Sequence, residues 1–236
     1  MDAQDPGDLN VRRIGSMCGI GGTIALAIYF TAPALLGWPF AGGSAAELAT
    51  YARSHDVLFF AGAWLQGTGA LLSAVFILAV VYLARATTSL PGLVTIVGTA
   101  VLLATVAIEA AFLVAVPIAA AAGDDATVRT AFAMSNGVFV RIFPLVPASA
   151  TLIGLGVVLT GTDVLDRRFG RLALGLGIAF EVAGLVAVFS SIGLVLGIAL
   201  SIGQDVWLLA AAIALGVPIL KASGAARTPV VTVETS

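Results

Sequence analysis

Four polar side chains stand alone inside otherwise apolar stretches of this chain: Gln66, Glu109, Arg141 and Glu181. A carboxyl in hydrocarbon can take or give a proton, a guanidinium can neutralise one carboxylate, and a carboxamide both donates and accepts hydrogen bonds. Brought together, such groups would bind a small polar solute or hold a proton. Glu109 and Arg141 carry opposite charges in consecutive apolar stretches and are the natural pair.

The stretches that carry them are membrane spans. Of 236 residues 60% are hydrophobic and 10% charged, against the roughly 25% charged of a soluble domain, and the mean hydropathy is +1.10. The apolar residues fall in blocks of about 20, the length that crosses a ~30 Å hydrocarbon core. The expected fold is all-α: a polytopic bundle of six transmembrane helices in a lipid bilayer. A net charge of −2 with no basic run excludes nucleic acid as a partner. One cysteine, Cys18, and one histidine, His55, cannot make the usual zinc site, and no cofactor or metal is expected.

Residues 1–11 read as a disordered tail. The spans are placed at about 14–36, 57–84, 93–119, 137–159, 172–190 and 204–220, within a membrane domain of 12–221, followed by a tail over 222–236. A cleavable leader ending near Ala32-Pro33-Ala34 is the rival for the first span, whose apolar run is long for that purpose. Gly15 and Gly19 form a small-xxx-small pair suited to close helix approach. Ser44 and Glu47 form a capping box ahead of a short interfacial helix, about 45–54, with Trp38 and Tyr51 suited to headgroup depth. His55 and Asp56 read as a solvated pair capping the next helix, with proton relay as the alternative.

The second span places Gly62, Gln66, Gly69 and Ser73 on one small, polar stripe. Thr105 stands one turn before Glu109 in the third. Residues 123–136 read as an exposed loop or helix start. In the fourth span Pro144 and Pro147 deprive the carbonyls of Val140 and Phe143 of helical partners, which predicts a kink just past Arg141. Glu181 sits mid-span in the fifth, flanked by Gly177 and Gly184. Residues 191–203 are themselves apolar, and are assigned to an extension of the fifth span or a partly buried connector.

Six spans put both termini on one side. With that side cytoplasmic, eight basic residues (Arg12, Arg13, Arg85, Arg167, Arg168, Arg171, Lys221, Arg227) face in, and two (Arg53, Arg129) face out. Gln66, Glu109 and Glu181 then share one depth, ~13 to 15 Å from the outer ends of their spans, and Arg141 lies nearer the surface. Each buried charge costs about 2.5 to 3.5 kcal/mol. The expectation is therefore one ion pair, with Arg141 meeting Glu109 or being drawn toward water, and one protonated carboxyl. Charge pairs that only specify helix neighbours are the alternative.

The strings Leu90-Pro91-Gly92, Ile108-Glu109-Ala110-Ala111, Phe169-Gly170-Arg171 and Val206-Trp207-Leu208-Leu209 resemble an uncharacterised six-span bacterial membrane family, domain of unknown function 4386. Thr105 departs from it, standing where an arginine is expected. The resemblance implies a multi-pass protein of the bacterial plasma membrane and supplies no catalytic residue. Arginine outnumbering lysine ten to one fits a GC-rich bacterial genome. Two functions compete: a module that binds or moves a small solute at the Gln66, Glu109, Arg141 and Glu181 cluster, and a structural or accessory subunit docking a membrane protein or a second copy through glycine-rich faces. An intramembrane enzyme is not expected, because the chain has no nucleophile or phosphate-cradling motif.

Overall fold

The computed structural model describes residues 6–35, 44–190 and 192–225, and every regular element among them is helical. In order these are α1 (Pro6–Leu35), α2 (Ala45–Ser54), α3 (Asp56–Leu83), α4 (Leu90–Ala121), α5 (Asp125–Gly137), two π-helical turns (Val138–Ile142 and Pro144–Ala148), α6 (Ser149–Thr160), α7 (Arg167–Phe189) and α8 (Gly193–Ala225). α5, the wide turns and α6 run on as one span, giving six helices long and apolar enough to cross a membrane. The chain is a multi-pass membrane protein.

The spans form a closed ring: α1 packs on α3, α3 on α4, α4 on α5 and α6, α6 on α7, α7 on α8, and α8 back on α1. Without a hydrophobic drive between helices in lipid, close backbone approach has to hold such a ring together. Glycine supplies it. A Cβ on Gly22 would lie 2.7 Å from Ser73 Oγ and 2.8 Å from Ser73 N, and one on Gly69 would lie 2.8 Å from Leu26 Cγ. The small stripe of the second span thus faces α1 through Gly69 and Ser73. Gly15 meets Ala79, and Gly19 meets Phe76 and Ala212, so the small pair of the first span is wedged between α3 and α8.

Several boundaries differ from expectation, each for a local reason. α1 begins at Pro6, inside the expected tail, because proline suits the first helical position and Asp8 binds Arg85 through both oxygens at 2.8 and 3.1 Å. That bond ties the start of α1 to the end of α3. Residues 123–136 take the second of their two readings, a helix start. Gly123, at φ 75, reverses the chain after α4, and Asp124 caps α5 at once by accepting from Thr127 N and Thr127 Oγ1. The sixth span, α8, starts at Gly193 rather than at 204, so residues 193–203 belong to it and not to the fifth span or a connector. Residues 222–225 extend that helix as well. The expected tails over 1–5 and 226–236, and Trp38, lie outside the described residues.

Where a kink was expected past Arg141, the chain has two wide turns, one containing Arg141 and one after it. Phe143 O is not left without a partner: it accepts from Ala148 N at 3.1 Å, five residues on, as Val138 O accepts from Phe143 N at 2.9 Å. Widening the turn lets the backbone step around each missing proline amide.

α2 is capped as expected, with Ser44 N donating to Glu47 Oε2 at 2.9 Å and Glu47 N donating to Ser44 Oγ at 3.2 Å. That backbone bond holds the Glu47 carboxyl below its usual range. The helix is packed on the bundle, with Leu48, Ala49 and Ala52 buried against α4 and α5. His55 stacks on Tyr51 at 4.2 Å and offers α3 no side-chain cap, whereas Asp56 accepts from Val57 N.

Candidate functional site

Two apolar clusters fill the bundle. The smaller lies at the α2 end and includes Ala63, Leu113 and Phe132; the larger fills the rest and includes Ala70, Val106 and Phe143. A seam divides them, and the polar residues occupy it. On α3 Gln66 falls between Ala63 and Ala70, and on α4 Glu109 falls between Val106 and Leu113. In the fourth span the stretch between Phe132 and Phe143 holds the first wide turn.

Glu109 is 3% exposed and Gln66 4%. The Glu109 carboxyl accepts from the Tyr29 hydroxyl at 3.4 Å and has the Gln66 amide as its other hydrogen-bonding neighbour. Three spans therefore meet at one carboxyl. Tyr29, on α1, is a site residue that the sequence did not single out; an isolated tyrosine inside an apolar span was the available signal. Gln66 Oε1 is buried with no hydrogen-bond partner. Thr105 spends its hydroxyl on Val101 O at 2.9 Å and contributes nothing to the carboxyl.

The other two members of the expected cluster are elsewhere. Among the described residues the ion pairs are Arg85–Asp8 and Arg53–Asp125, and Arg141 pairs with no carboxylate. Its side chain is exposed, and Nε reaches Ala187 O at 3.4 Å. Ala187 belongs to the last turn of α7, where carbonyls run out of intrahelical donors and the helix dipole is negative. A guanidinium that reaches such an end finds acceptors there and need not stay in the interior. The guanidinium turns to the α7 terminus, and the Glu109–Arg141 ion pair is not formed. Glu181 is half-buried on α7, with no hydrogen bond or ion pair among the described residues.

No family model matches the chain, and comparison with curated proteins and with solved structures finds no match. The site is read from its own chemistry. Among the described residues no three of His, Cys, Asp and Glu are grouped so as to hold a metal ion. Tyr29, Gln66 and Glu109 offer a hydroxyl, an amide and a carboxyl inside apolar walls, a set that recognises a polar group by hydrogen bonds.

Proposed function

We propose that this protein binds, or carries across the bacterial plasma membrane, a small polar or amphipathic solute, held at Tyr29, Gln66 and Glu109. The observation that carries this reading is the unpartnered Gln66 Oε1 beside a buried carboxyl. Leaving an acceptor buried and unsatisfied costs about 1–3 kcal/mol, and a ligand with a donor would recover that cost. Polar groups kept inside a span are functional by default. No catalytic role is proposed.

An amino terminus on the cytoplasmic side is part of the proposal. Arg12, Arg13, Arg85, Arg167, Arg168 and Arg171 support it, gathered at one set of span ends, with Arg53 and Arg129 at the other. Membership of the six-span family, domain of unknown function 4386, is also proposed, on the strings quoted above. An accessory subunit draws less support, since Gly15, Gly19, Gly22 and Gly69 are already occupied by neighbouring spans of the same chain.

Native mass spectrometry of the full chain, extracted in mild detergent, tests the choice. The expected result is a species carrying extra small-molecule mass that Glu109→Gln and Tyr29→Phe lose. A stoichiometric protein partner, with no small molecule in wild type, would replace this reading with the subunit.

A further inference from the structure

The last span carries a second polar group that the Glu109 site does not use. Ser201, Gln204 and Asp205 stand at i, i+3 and i+4 on α8, so their side chains share one face of the helix. Ser201 is 3% exposed and Asp205 7%. Asp205 lies twelve residues into α8 from Gly193, ~18 Å along the axis, the same distance that separates Glu109 from the end of α4 at Ala121. It therefore lies as far inside its helix as Glu109 does inside α4, on a different wall of the ring.

None of the three is satisfied. Ser201 Oγ and Gln204 Oε1 are buried without a hydrogen-bond partner, and Asp205 makes no hydrogen bond or ion pair among the described residues. Trp207, close by, spends its one donor on Phe169 O at 3.0 Å. A hydroxyl, an amide oxygen and a carboxylate without donors form an oxygen-only set, the kind that holds hard cations. The charge count selects the valence. One carboxylate balances one positive charge, whereas a divalent ion would leave an uncompensated charge inside the bundle.

We propose that Ser201, Gln204 and Asp205 form a binding site for a sodium ion on the last span, separate from the Glu109 site. Asp205 supplies the charge; Ser201 Oγ and Gln204 Oε1 supply neutral ligands that lack any other partner. The ion would stabilise the folded bundle by occupying three acceptors that protein groups leave bare.

The test uses the purified full chain in sodium-free detergent solution. Thermal unfolding is followed by tryptophan fluorescence in sodium chloride and in choline chloride at equal ionic strength. The expected result is a saturable rise in Tm with sodium and none with choline. Asp205→Asn abolishes the rise, Ser201→Ala raises the half-saturating sodium concentration at least tenfold, and Glu109→Gln leaves the rise in place. Equal Tm values in the two salts would overturn the proposal. So would a sodium effect that Glu109→Gln removes and Asp205→Asn keeps, since the ion would then belong to the first site. If Asp205→Asn does not fold, Ser201→Ala and the broadening of the sodium-23 resonance by wild-type protein decide the matter, with no broadening counting against the site.

Discussion

Replacing Gly22 by alanine tests whether the ring is held by backbone contact. The new methyl would lie 2.7 Å from Ser73 Oγ, 2.8 Å from Ser73 N and 2.9 Å from Gly69 O, against 3.4 Å or more for ordinary contact. Two of these three atoms are backbone, so no rotamer change relieves the overlap and α1 has to move away from α3. Overpacking of this kind costs about 1–3 kcal/mol. Alanine offsets part of that, being about 1 kcal/mol better than glycine inside a helix. The net expectation is a loss of about 0–2 kcal/mol. Gly175→Ala on α7 is the matched control: nothing lies within 4 Å of its added methyl, so only the propensity gain of up to about 1 kcal/mol remains. Equilibrium unfolding of both variants in mixed micelles, read by tryptophan fluorescence, gives the comparison. Equal stability of the two would refute the argument, because it would mean that α1 and α3 do not depend on their close approach. Adding Ser73→Ala to Gly22→Ala should rescue little, since the clash with Ser73 N persists.

Three further outcomes follow from particular contacts. A double-mutant cycle between Arg141→Ala and Glu109→Gln should be additive within about 0.5 kcal/mol, with Arg141→Ala itself costing about 0.3–1 kcal/mol for the lost contact with the α7 terminus; coupling of several kcal/mol would restore the ion pair. Thr151→Val should be neutral or stabilising by about 1 kcal/mol, because Thr151 Oγ1 is buried without a partner, and a clear loss of stability in the same unfolding assay would contradict that. The Glu47 carboxyl is held low by the Ser44 amide, so its contribution to α2 is present above the ordinary carboxyl pKa and is lost as pH falls through the lowered folded value. Hydrogen exchange of α2 amides should accordingly rise on acidification in wild type and change less in Glu47→Gln.

Span number and the burial of Gln66 and Glu109 were legible because both rest on solvation: a charge-free run of twenty residues has one home, and a carboxyl buried within it has to face protein. The same reasoning located Gln66 and Glu109. It left Arg141 open between Glu109 and water, because a long side chain decouples the charge from the depth of its Cα, and only the position of the α7 terminus reveals where the guanidinium goes. Asp205 was hidden by a boundary. With the sixth span begun at Gln204, Asp205 falls in a wet first turn; with α8 begun at Gly193 it lies twelve residues deep. The break between α7 and α8, near Ser190 and Ile192, has no charge or proline to announce it. The start of α1 was missed for the opposite reason: polar residues that look disordered alone are ordered by one partner, Arg85, from the far end of α3.

The two wide turns of the fourth span have a geometric result. Each takes up one residue more than an α turn, which sets the downstream side chains back by about 100° around the axis. The same crossing presents Val128 and Phe132 to α2 and α4 at one end and Gly156 to α7 at the other. Angular phase is stored in those ten residues. Deleting a single residue there would rotate half of the span against its neighbours while leaving its length almost unchanged.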